Sequence, residues 1–102
     1  MIAILTVTKA QETLAENVRA RRLAIGLTQA GLASRSGVPL GTLRKFERTG
    51  AASVETLFKL LMVVGGLERM IGASAPESGE FASIEEVLEA DRRPARKHGW
   101  RT

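Results

Sequence analysis

The sequence predicts an all-α domain, a compact bundle of four or five helices over residues 10–72. Three observations carry this. Apolar residues between 14 and 64 recur at steps of three and four rather than alternating. Gly26, Gly37, Pro39 and the Gly65-Gly66 pair punctuate those runs at short intervals. Thr28 and Ser53 stand directly ahead of two of them, where an N-cap belongs.

Residues 2–8 are apolar and rich in β-branched types. They predict a short N-terminal strand or an extended arm, so residues 1–9 are set apart from the bundle. Residues 10–25 turn helical, with Leu14, Val18, Arg22 and Ile25 on one stripe and Gly26 as a left-handed stop. A second helix is expected over 29–36, ended by Gly37. Val38-Pro39 forces an extended or turn conformation before a third helix over 40–48. Thr49 to Ala52 read as a loop. The fourth helix follows Ser53 with Val54, Leu57, Phe58, Leu61 and Val64 as its apolar stripe, and residues 67–71 add a further turn or two. Residues 73–102 form an extension: a linker to about residue 82, a short helix opened by the capping box Ser83-Ile84-Glu85-Glu86, and a basic tail.

A chain of 102 residues, 44% hydrophobic and 25% charged, is globular in composition and of single-domain size. It has no cysteine, which excludes disulfides and thiolate metal sites and fits a reducing cytoplasm. The N-terminal apolar run is far short of the about 20 residues that a bilayer span needs. It also lacks the basic start and cleavage site of a signal peptide, so a cytoplasmic protein is expected.

The net charge is +4, unevenly spread. Residues 19–48 carry Arg19, Arg21, Arg22, Arg35, Arg44, Lys45 and Arg48 against the single acid Glu47. Residues 77–91 are acidic without a base, and the last eleven turn basic again. A basic block in a helical region is the footprint of a phosphate-binding surface, although charge alone fits a solvated face equally well. His98 is the only histidine and has no acid cluster at ligand spacing, so no metal is expected. Glu85 and Glu86 point about 100° apart on a helix and suit the cap better than a catalytic dyad. Neither a phosphate loop nor a nucleophilic triad is available, so no catalytic residue and no cofactor are expected.

The informative stretch is Thr28 to Glu47. Two short helices must cross steeply through a tight turn, with Ala33 small at the crossing, Gly37 free to take positive φ, and Val38 filling the core behind it. Leu32, Leu43 and Phe46 supply the shared apolar contacts. With Arg-Arg-Leu-Ala-Ile-Gly-Leu-Thr-Gln at 21–29, Leu-Ala at 32–33, Ser-Gly-Val at 36–38 and Leu-Arg-Lys-Phe-Glu at 43–47, the chain resembles the XRE, or phage-repressor-like, family of helix-turn-helix regulators over residues 14–64.

That resemblance implies a lambda-repressor-like fold and a homodimeric repressor of operator DNA, autoregulating its own operon. It implies that Gln29 contacts a phosphate or orients the recognition helix. The third helix would enter the major groove, bringing Leu40, Gly41, Thr42, Arg44 and Lys45 to base edges or phosphates and Arg48 to the backbone. Arg22 and Glu47 match the family's structural ion pair, and the residues agree: Arg22 is a charge on an apolar stripe, Glu47 the one acid among bases. The sequence departs from the family at Gly31, Leu40 and Gly41, where polar side chains are common. Leu40 can touch a thymine methyl but cannot hydrogen-bond a base, so readout falls to Thr42, Arg44 and Lys45 and specificity leans on DNA shape or a partner.

The extension adds a looser similarity to HipB-type antitoxins, which accompany HipA-like kinase toxins. Ile84, Val87, Leu88 and Trp100 are its candidate partner-binding residues. Trp100 can equally fold back on the core, insert beside DNA, or be disordered. Two rivals to a plain repressor therefore stand: an antitoxin that captures a toxin through residues 83–102, and a degenerate scaffold without specific DNA affinity.

Overall fold

The structure is a computed structural model and describes residues 5–77. Five helices follow one another: α1 (Val7–Ala24), α2 (Gln29–Ser36), α3 (Leu40–Thr49), α4 (Val54–Val64) and α5 (Leu67–Ala73). The chain divides into two compact units, Met1–Met70 and Ile71–Thr102, and α1 to α4 lie in the first. No helix among the described residues is long and apolar enough to cross a membrane. The expectations placed on Ile84, Val87, Leu88, His98 and Trp100, and on residues 1–4 of the arm, lie outside the described residues.

The N-terminal strand is corrected where it can be seen. Val7 and Thr8 belong to α1, and among the described residues there is no strand. Thr6 decides this: its hydroxyl accepts from the Lys9 N–H at 3.0 Å, so the helix starts three residues before the expected residue 10. Such a cap contributes about 1 kcal/mol, more than the few tenths by which Val and Thr disfavour a helix. At the other end α1 stops at Ala24, so Ile25 leaves the stripe and is 50% exposed. Ala15 takes a buried place on that face instead.

Thr28 caps α2 by accepting from the Gly31 N–H at 2.9 Å. Gly37 ends it with φ +77, the left-handed turn the sequence calls for. Ser36 staples this turn, its Oγ accepting from the Val38 N–H at 3.2 Å and donating to the Ala33 carbonyl. Val38 then drops into the core and Pro39 leads into α3.

The core is one cluster: Ala15 and Val18 from α1, Leu32 from α2, Val38 from the turn, Leu43 and Phe46 from α3, and Leu60, Leu61 and Val64 from α4. α3 packs on α1 and α2, and α4 packs on the same two helices. Each large aliphatic or aromatic side chain buried here contributes about 1.5–3 kcal/mol. Helices of eight to eleven residues would not persist alone, so this cluster holds all three short ones. Leu60 is fully buried although the periodic stripe omits it, whereas Val54, placed on the stripe, is exposed. Residues 60–64 are apolar without interruption, so period alone cannot say which of them faces inward.

Gly50 is the tightest point. It ends α3 with φ +81 and is buried against α1, where a Cβ would stand 2.5 Å from the Gln11 carbonyl oxygen. Backbone meets backbone there, so no side-chain adjustment relieves the overlap. Gly37 has a similar φ but open space around it. Urea denaturation should therefore separate the two: Gly37→Ala costs about 1–2 kcal/mol from conformation alone, while Gly50→Ala costs clearly more, at least about 3 kcal/mol. Equal losses would show that α1 shifts freely away from α3.

Candidate nucleic-acid interface

At about 100° per residue, the ten residues of α3 divide into two faces. Leu43 and Phe46 are buried, Leu40 is half-buried on their shoulder, and Glu47 turns inward beside them. Gly41, Lys45 and Arg48 form the line opposite, with Thr42 and Arg44 on its flanks, and all five are exposed. Among the described residues no ion pair engages Arg44, Lys45 or Arg48, and the Thr42 hydroxyl makes no hydrogen bond. This face is thus an exposed strip of cations unpaired among the described residues, with a neutral first turn.

The inward side explains how the strip is aimed. Arg22, buried on α1, donates through Nε to Glu47 Oε2 at 2.8 Å and through Nη2 to Oε1 at 3.1 Å, a two-pronged bridge to α3. Its Nη1 donates to the Leu27 carbonyl at 2.8 Å, which ties in the loop ahead of α2. Gln29, the first residue of α2, donates from Nε2 to Glu47 Oε1 at 3.0 Å. One carboxylate therefore joins α1, α2 and α3, and the Arg22 and Glu47 side chains are only 7% and 5% exposed. The Gln29 contact is with α3 itself, one of the two roles the resemblance implies for it, and the Leu27 link is a local one across the end of α1 for which the sequence offered no signal.

Burial disfavours the charge on Glu47. The hydrogen bonds from Arg22 and Gln29, together with the positive charges of Arg22 and Arg19, outweigh it and hold the carboxyl below its ordinary value of 4.5. No buried polar side-chain atom among the described residues lacks a hydrogen-bond partner. No three His, Cys, Asp or Glu side chains among them are grouped to hold a metal ion.

A Cβ on Gly31 would lie 3.3 Å from Thr28 Oγ1, the oxygen that caps the N–H of Gly31 itself. The equivalent position after a cap carries a side chain at Lys9 and at Thr56, so this contact does not by itself require glycine.

Residues 18–66 match the family model described as helix-turn-helix. This segment is a helix-turn-helix domain of the XRE family. Members of this family bind DNA, and the chain is accordingly a DNA-binding transcription regulator. The matched segment of the domain contains Arg22, Gln29 and Glu47 and all of α2, α3 and α4. Searches of curated proteins and of solved structures returned no significant match.

Breaking the bridge should cost the domain heavily. Glu47→Gln leaves the Arg22 guanidinium buried without a counter-charge and should lower unfolding free energy by about 3–5 kcal/mol. The pH dependence follows from the lowered carboxyl pKa: the contribution of Glu47 is complete above about pH 4.5 and is lost as pH falls through the folded-state value. Urea midpoints measured from pH 7 to pH 3 should fall at the acid end in the native protein. Glu47→Gln should lack that component of the fall.

Proposed function

We propose that the domain is the reading head of a homodimeric, cytoplasmic repressor that binds operator DNA and autoregulates its own operon. The observation that carries this is the outward face of α3, where exposed and unpaired Arg44, Lys45 and Arg48 surround Gly41 and Thr42. In this reading α3 enters the major groove. Thr42, Arg44 and Lys45 reach base edges, Leu40 and Gly41 lie against them, and Arg48 takes a phosphate. Gln29 and the Arg22–Glu47 bridge act from behind, keeping α3 at its angle to α1 and α2.

The cations attract DNA by releasing condensed counterions, a contribution independent of sequence that weakens steeply with salt. Specificity then comes from the few side chains that meet bases. Two copies related by a twofold axis would place their α3 helices in successive major grooves about 34–36 Å apart. A pseudo-palindromic operator is the matching DNA.

The charge reversal in the extension favours a second activity beside this one. Six acids and no base between residues 77 and 91, followed by the basic end of the chain, suit a protein partner such as a HipA-like kinase toxin. Ile84, Val87, Leu88 and Trp100 would be its apolar anchors. That reading expects a complex that survives loss of the α3 charges and is abolished by changes at those four residues.

Fluorescence anisotropy tests the primary reading, using a duplex selected by the native protein from a randomised pool against a shuffled control. At near-physiological salt a preference of at least about a hundredfold is expected. It should collapse in Arg44→Ala, Lys45→Ala. Equal, steeply salt-dependent affinity for both duplexes would reduce the domain to a phosphate-binding surface.

A further inference from the structure

We infer that Gly41 is a specificity-determining residue, a notch in the first turn of α3 that admits a thymine 5-methyl group; this rests on the groove-reading function proposed above. Gly41 lies on the exposed line of α3, opposite Leu43 and Phe46. Nothing among the described residues accounts for a glycine there. A Cβ on Gly41 would meet no atom within 4 Å, and its φ lies outside the left-handed region that Gly37 and Gly50 occupy. Packing and backbone conformation would both accept alanine, and helix propensity prefers it.

Packing among the described residues thus gives the missing side chain no reason, and the proposed groove contact supplies one. It allows the α3 backbone to approach a surface more closely at this turn than at Lys45 or Arg48, one and two turns on. The chemistry around the notch says which surface. Half-buried Leu40 precedes it and Thr42, with its own methyl, follows, so the first turn presents no charged group. The cations begin at Arg44. A phosphate would be met by those cations, whereas a neutral, apolar notch suits an apolar feature on the groove floor. The thymine methyl is the one such feature that the four bases display in the major groove.

This assigns the two halves of α3 different work. The first turn selects a T·A pair by shape and methyl burial, with the Thr42 hydroxyl beside the notch, and the second half supplies the charged donors. It also accounts for how a recognition helix lacking Ser, Gln or Arg in its first turn can still discriminate.

The test uses the full chain and the duplex that it selects from a randomised pool. Gly41→Ala should raise the folding equilibrium constant about two- to fivefold, seen as a Tm higher by a few degrees. It should weaken binding to that duplex about tenfold and leave affinity for a shuffled duplex unchanged. Replacing thymines one at a time by deoxyuridine, which removes only the methyl, should weaken the native protein about fourfold at one position per half-site. Gly41→Ala should be insensitive at that position.

If Gly41→Ala binds the selected duplex as tightly as the native chain, the notch is overturned while groove reading stands. If deoxyuridine is tolerated at every position, the thymine methyl is overturned as its occupant. If the native chain selects no sequence at all, both the notch and the operator-reading function fall.

Discussion

The guanidinium of Arg22 is the constraint on which the rest of this domain depends. A charge buried on the inner side of α1 must be met, and only Glu47 among the residues of α2 and α3 can meet it. Because the two groups join through paired hydrogen bonds, the contact sets direction as well as distance. α3 can neither rotate about its axis nor slide along α1 without breaking at least one of them. An apolar pair of the same volume could be equally stabilising, so the bridge is better understood as fixing orientation than as adding stability. Gln29 and the Leu27 carbonyl extend the same restraint to α2 and its leading loop.

Around that restraint the domain is assembled from segments too short to fold alone. α2 and α3 have eight and ten residues. They are held by Thr28 at one end, by left-handed glycines at their C-termini, and by Leu32, Leu43 and Phe46 in the common core. Gly50 shows how close this assembly is, since the end of α3 meets the α1 backbone with no room for a methyl. Rigidity at the back of α3 gives its front a defined shape. A helix that reads a groove has to present its side chains at fixed spacing, and the inward network provides the reference frame.

The outward face has the opposite character. Its cations have no partners among the described residues, and its first turn is neutral and bare at Gly41. Affinity from such a face is chiefly electrostatic and depends on salt, whereas selectivity depends on the side chains that meet bases and on how closely they approach them. In the proposed reading labour divides along one helix: charge would draw the duplex in, and shape at the N-terminal turn would help to sort it. The proposed repressor would gain the remainder of its selectivity by reading two half-sites at once.

Much of this was determined by the sequence alone. Helical spacing, caps at Thr28 and Ser53, and the turn Ser36-Gly37-Val38 placed α2 to the residue and α3 to within one, because these signals are local and act within a few residues of the chain. The Arg22 and Glu47 anomaly was visible too, as a charge on an apolar stripe and a lone acid among bases. Tertiary structure decided the rest. It buried Leu60 within an unbroken apolar run, exposed Ile25 beyond the end of α1, and gave Val7 and Thr8 to a helix rather than a strand. It also turned Gln29 onto Glu47, gave Gly50 its steric reason, and left Gly41 with none among the described residues. These outcomes depend on which surfaces meet when helices cross. Contacts between residues 18 to 39 positions apart, such as Gln29 with Glu47 or Gln11 with Gly50, exist only in the packed domain and leave no periodic trace in the sequence.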